Sequence, residues 1–141
     1  MYKRQILDIG CGGGILAESL SEKGAKVTGL DASKKTIQIA KDHAKEKNLS
    51  IDYQDMSLDE YIKISKTKFD AIICSAVSSN IPEPLVKQLE VSGKLICPIG
   101  NEKDQNLILV EKKSRTEITK KVLDSVLFVQ MLSGIVDRDD K

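Results

Sequence analysis

Two acids and three glycines stand where a ligand-binding turn would need them. The run QILDI, Gln5 to Ile9, carries Asp8 and leads into Gly10, Gly12 and Gly14, and a later run, VTGLD, ends on Asp31. Residues without a Cβ tolerate positive φ and let the backbone touch a ligand. The amides that open the following helix favour an anionic group. Acids beside them favour cationic groups and hydroxyls, so the ligand implied carries both kinds of charge.

The elements that must hold these residues follow from periodicity. Gln5 to Ile9 is a short apolar run, and Ile15, Leu16 and Leu20 then recur at helical spacing until Gly24, a helix-ending residue. After Asp31, Ser33 is the N-cap of a helix to about Lys47, with Ile37, Ala40 and Ala44 on one face and Asn48 to end it. Ser50 to Gln54 is a third strand whose tip is Asp55-Met56, followed by a helix over Leu58 to Lys66. Phe69 to Cys74 is nearly continuous in apolar residues, as a strand buried on both faces of a parallel sheet is. The polar SAVSSN segment comes next, and Pro82 opens a short helix to Leu89. Gly93 to Ile99, Asn106 to Lys113 and Glu117 to Leu132 complete the strands, the first two as a hairpin across Gly100 to Gln105. The pattern predicts an α/β domain, doubly wound and Rossmann-like, with a mostly parallel seven-stranded sheet.

The ligand can be narrowed by chemistry. The dinucleotide fingerprint G-x-G-x-x-G fails in its first frame, because Ile15 follows Gly14, and survives only as Gly12, Gly14, Ala17. Asp8 would also repel a pyrophosphate in a low-dielectric site. S-adenosylmethionine has no phosphate: its ammonium and sulfonium suit Asp8, its carboxylate the helix amides, and its ribose diol Asp31. A dinucleotide, or a glycine turn that merely packs helix on strand, are the competing readings. Asp55 could contact an adenine or simply shape a turn.

Composition excludes other classes. The chain has 141 residues, 40% hydrophobic and 4% aromatic with no Trp, which suits a single domain over residues 1–141 and not an aromatic platform for nucleic acid. A net charge of +1, with lysines interspersed among acids, points to no polyanionic partner. Cys11, Cys74 and Cys97 show no C-x-x-C spacing, as expected of reduced thiols in the cytoplasm. Cys74 and Cys97 lie in core-like runs, and Cys11 reads as a small side chain tolerated beside the ligand. No apolar run reaches membrane-spanning length, so no stable membrane insertion is expected. No metal-ligand spacing occurs, and the single histidine, His43, reads as a surface residue without a partner pattern.

The stretch ILDIGCGGGILAESLSEKGAKVTGLDAS resembles motif I and the second strand of class I S-adenosylmethionine-dependent methyltransferases, above all the ubiquinone-biosynthesis O-methyltransferases, as far as about Asp59. From Phe69, FDAIICSAVSSNIPEPLVKQLEVSGKLICPIG, with LILVEKK and VLFVQML, resembles the C-terminal half of protein-L-isoaspartate O-methyltransferases. There Ser92 replaces the first glycine of a GG pair and Gln130 a proline. The resemblance implies a cofactor set of Asp8, Gly10, Cys11, Gly12, Gly14, Asp31, Ala32, Asp55, Met56 and Ser75, with no catalytic residue assigned and no metal. It implies methyl transfer to an isoaspartyl carboxylate of a damaged protein. A carboxylate titrates near ~4 and arrives ionised, whereas a phenol near ~10 wants a base. The alternatives are a ubiquinone-type enzyme acting on a polyprenyl phenol, though its E-x-L-E-H pattern is absent after the fourth strand, and a cofactor-binding fragment without catalysis. Only four residues precede Gln5, so a class I fold truncated at its N-terminus, lacking the isoaspartate family's T-I-S-Q-P-like substrate segment, is expected.

Overall fold

A computed structural model describes residues 3–126 and 129–130. The chain is α/β, with a seven-stranded sheet and a separate two-stranded one. Among the described residues, those up to Ser65 form one compact unit and those from Lys66 a second.

In the first unit, strands β1 (Gln5–Ile9), β2 (Lys26–Asp31) and β3 (Asp52–Asp55) pair in parallel in the order β3-β2-β1. Helix α1 (Ile15–Glu22) joins β1 to β2, α2 (Lys34–Glu46) joins β2 to β3, and α3 (Leu58–Ile64) follows. Both long connections end alike. Gly24 (φ 97°) and Asn48 (φ 57°) take the left-handed conformation after the last helical turn. The amides of Ala25 and Leu49 then return to the carbonyls of Leu20 and Ala44, at 3.1 and 2.9 Å. Ser33 caps α2 as expected, its Oγ accepting from the Thr36 amide at 3.2 Å. Ala17, Val27, Ile37, Ala40, Ala44 and Tyr53 form the core between these helices and the sheet.

In the second unit, β4 (Phe69–Cys74) pairs in parallel with β6 (Leu89–Gly100), and β6, β7 (Gln105–Lys112) and β8 (Ile118–Val126) are antiparallel in sequence. The hairpin between the fifth and sixth expected strands is therefore present as β6–β7. A two-residue strand, β5 (Ala76–Val77), lies in the segment read as a polar loop and pairs with β9 (Val129–Gln130). The expected seventh strand is thus β8 followed by β9, and its end at Leu132 lies outside the described residues. The short helix α4 (Glu83–Lys87) has Pro82 as its N-cap.

The strand expected from Gly93 begins earlier, at Leu89, for a reason that the register gives. Leu89 pairs with Phe69 and Lys94 with Ala71, so two steps on β4 answer five on β6, and 90–93 bulge out. Ser92, at φ 75°, sits in the left-handed region that favours glycine. At Gly93 an added Cβ would stand 2.7 Å from the Glu90 carbonyl. The bulge asks for glycine at both positions, and this chain supplies it at one.

Candidate functional site

The glycine turn is built on β1 and β2. The amides of Gly10 and Cys11 both donate to the Leu30 carbonyl, at 2.8 and 3.0 Å, which ties the turn to the neighbouring strand. The turn closes through Gly14 N–H to the Cys11 carbonyl at 3.1 Å. Gly10, Gly12 and Gly14 all have positive φ (77°, 56° and 90°), so each of the three uses the freedom that the spacing suggested. A Cβ at Gly12 or Gly13 would meet nothing within 4 Å, so this side of the turn is open. Gly14 is the N-cap of α1 and makes no side-chain cap bond, which leaves the first-turn amides without intrahelical partners.

Across the sheet, register places Asp8 beside Gly29 and Gly29 beside Tyr53, and two residues on it places Asp31 beside Asp55. Asp8 is 1% exposed, and neither of its carboxylate oxygens has a hydrogen-bond partner. Burial, and then the nearby Asp31 carboxylate, push its pKa up to about 6. An orphaned buried acid is costly. Asp31 is half-buried and better satisfied: its Oδ2 accepts from Gly12 N–H at 3.0 Å and its Oδ1 from Ser33 N–H at 3.1 Å. A carboxylate offers about four lone-pair sites, so each oxygen retains capacity for a further donor. One expectation narrows here. The Gly12 amide goes to Asp31 and the Gly14 amide to Cys11, so a ligand anion is left with Gly13 and the first turn of α1.

Cys11 is half-buried, and burial, then Asp8 and Asp31, push its thiol far above the ordinary range. That makes it a poor nucleophile and fits the small-side-chain reading. Cys74 and Cys97 are buried, as expected of core residues. Ala32 is half-buried between Asp31 and the Ser33 cap, and Asp55 and Met56 are half-buried at the end of β3. Asp55 is not the residue that starts α3. Ser57 does so, its Oγ accepting from Glu60 N–H at 3.2 Å while Glu60 Oε1 accepts from Ser57 N–H at 3.2 Å. Ser75 directly follows β4 in the second unit and is half-buried.

Two residues at the site escaped the sequence reading. Tyr53 is 5% exposed, its hydroxyl has no hydrogen-bond partner, and its ring fills the space left by two glycines. A Cβ at Gly29 would lie 2.7 Å from its Cδ1, and one at Gly14 would overlap its hydroxyl. The ring therefore supports the turn from the core side. Glu18, on α1, is 4% exposed and binds His43 Nδ1 at 2.7 Å and Lys47 Nζ at 3.2 Å. Burial alone would raise its pKa, but the bonds to His43 and Lys47 outweigh it and hold the carboxyl below its usual range. His43 is a surface side chain, 54% exposed, but it has a partner, which corrects the sequence expectation. The signal lay in the Glu18 of LAES, an acid placed beside apolar Ala17 on the face that α1 buries.

The family model of protein-L-isoaspartate (D-aspartate) O-methyltransferases matches residues 2–135, across both halves. The chain belongs to this family. A solved isoaspartate methyltransferase from Plasmodium falciparum, in complex with S-adenosyl-L-homocysteine, matches with a TM-score of 0.78 and 26% identity over 92% of this chain and 66% of that one. A second protein-L-isoaspartate O-methyltransferase structure, at 22% identity and a TM-score of 0.78, shares the fold. Curated relatives by sequence are instead ubiquinone biosynthesis O-methyltransferases. That of Alkalilimnicola ehrlichii is 37% identical over 98 residues, 70% of this chain and 39% of its own length. That of Histophilus somni is 40% identical over 89 residues, 60% of this chain and 37% of its own length. The chain thus spans about two fifths of the curated relatives it matches. Among the described residues, no helix is long and apolar enough to cross a membrane.

Proposed function

We propose that the chain binds S-adenosylmethionine and serves methyl transfer to isoaspartyl carboxylates of damaged proteins, in the cytoplasm. The observation that carries the cofactor reading is Asp8, a buried carboxylate with both oxygens unpartnered beside an open glycine turn. A cationic ligand group supplies the missing partner, and a dinucleotide pyrophosphate does not. In this reading Asp31 accepts from the ribose hydroxyls, and Gly10, Cys11, Gly12, Gly14 and Ala32 line the turn. Asp55 and Met56 face the adenine, and Ser75 serves the methyl end. When bound, the cofactor supplies an electrophilic methyl group. The acceptor reading rests on the family and on chemistry: a carboxylate arrives ionised, so the protein has to orient it and needs no base. Free Cys11, Cys74 and Cys97 suit a reducing compartment.

A phenolic acceptor is the second reading, favoured by the 37% identity to a ubiquinone enzyme. Its base is not evident, since the sole histidine is engaged by Glu18. Titration calorimetry with S-adenosylhomocysteine and with NAD tests the cofactor: the first is expected to bind, and tighter binding of NAD would overturn the assignment. Labelled-methyl transfer to an isoaspartyl peptide or to a polyprenyl phenol then separates the acceptors, and binding without transfer to either would leave a cofactor-binding fragment.

A further inference from the structure

The second unit carries a concentration of positive charge that the methyl-transfer reading does not use. Two adjoining hollows, of about 370 and 590 Å³, share Lys87, Lys112 and Arg115. Lys120 lines the first and Lys68 the second, so five cations face only two carboxylates, Glu83 and Glu90. In a chain whose net charge is +1, that is a marked local excess.

The arrangement is built into the fold. Lys112, at the end of β7, is nine-tenths buried, and its ammonium donates to the carbonyls of Val86 and Leu89 at 3.2 and 3.0 Å. Lys68 Nζ donates to the Lys87 carbonyl at 2.5 Å. Both ammonium groups are thus pinned to the backbone at the end of α4, while Lys87, Arg115 and Lys120 stand exposed around them. Burial pulls the Lys112 pKa down, Lys68 adds to that, Glu90 opposes it, and Arg115 adds a smaller share. Among the described residues, the ion pairs involve other side chains, so none of these five cations has a carboxylate within 4 Å.

The position within the second unit is not where an α/β sheet takes its reaction ligand. Lys68 immediately precedes β4, and Leu89 and Glu90 begin β6, so the hollows lie at the amino ends of these parallel strands. Reaction ligands of open α/β sheets bind outside the carboxyl ends. The volumes are those of small-molecule sites, and apolar walls from Ile81, Val86 and Ile118 adjoin the cations. Arg and Lys converging on a concavity suit the compact, multiply charged oxygens of a phosphate group better than an extended acidic chain.

We propose that the hollow formed by Lys68, Lys87, Lys112, Arg115 and Lys120 is a second ligand site, one that takes a small phosphate-bearing molecule. Calorimetry of the full chain with tripolyphosphate at fixed ionic strength tests it, alone and after saturation with S-adenosylhomocysteine. Saturable one-to-one binding is expected, unchanged by S-adenosylhomocysteine and at least about tenfold weaker in the double variant Lys87→Gln/Arg115→Gln. Both side chains are exposed, and far-UV circular dichroism checks that the fold is kept. Should the double variant not fold, Lys120→Gln alone is expected to weaken binding several-fold. Heats that never saturate, equal affinity in the variants, displacement by S-adenosylhomocysteine, or equally tight binding of a hexaglutamate peptide would each overturn the proposal.

Discussion

Asp8 sets folding against binding at a single carboxyl. Its pKa is raised from 3.8 to about 6, so between those values the folded state holds more proton than the unfolded one. Stability contributed by this group therefore falls as pH rises from about 4 to 6 and then levels off, a loss on the order of 3 kcal/mol. Binding of a cationic ligand runs the other way and strengthens through the same window. Asp8→Asn is expected to raise the melting temperature of the ligand-free protein at pH 7.5 while weakening S-adenosylhomocysteine, two changes that one thermal-shift titration reads together. Asp31→Ala is expected to weaken cofactor binding by about 1.5–3 kcal/mol, as hydrogen bonds to a charged group do. Because Asp31 also holds the Gly12 and Ser33 amides, the variant is expected to lose about 1–2 kcal/mol of folding stability too, measured by urea denaturation. At this scale the sequence was a good guide to where Asp8 and Asp31 stand, since each closes or nearly closes an apolar run that forms a parallel strand. It was a poor guide to Tyr53 and Glu18, whose roles depend on which strand and helix they meet.

Among the elements, the bulge in β6 and the turn after β1 each hinge on a missing Cβ. At Ser92, where the backbone already takes φ 75°, Ser92→Gly removes left-handed strain and is expected to stabilise by about 0.5–1 kcal/mol, net of the added freedom of the unfolded chain. No gain in melting temperature would mean that the serine sits there without strain. Gly29→Ala tests packing without left-handed backbone strain, since the atoms nearest the new methyl are those of the Tyr53 ring and the Cys11 sulfur, at 2.7 and 3.0 Å. The variant is expected to lose on the order of 1–3 kcal/mol, and Gly29→Ala/Tyr53→Leu to lose less than the two single changes combined. Helix limits were legible here because Ser33, Gly24 and Asn48 act through local geometry. The start of β6 was not, since a bulge is fixed by what the partner strand offers.

For the molecule as a whole, a ligand that binds only the folded state adds RT ln(1 + [L]/Kd), about 2.7 kcal/mol at a hundredfold excess over Kd. S-adenosylhomocysteine at that excess is expected to raise the melting temperature by several degrees, with NAD giving no shift. The α/β class and its mostly parallel sheet were readable from alternating apolar runs. The front and rear halves resemble different methyltransferase families in detail, yet one family model covers residues 2–135.

Among the described residues the seven-stranded sheet ends on β8, and that border has a bearing on handling the protein at high concentration. Val122 and Leu123 are 60% and 43% exposed there, a surface apt to recruit a second chain. Lys120 and Lys121 stand directly before them, and the pairing of β7 with β8 slips between Leu107 and Ile108. Charge and irregularity are the usual guards of an open strand. Lys121→Val is therefore expected to leave the monomer folded while making it prone to precipitate as fibrillar aggregate, followed by light scattering and thioflavin fluorescence on incubation.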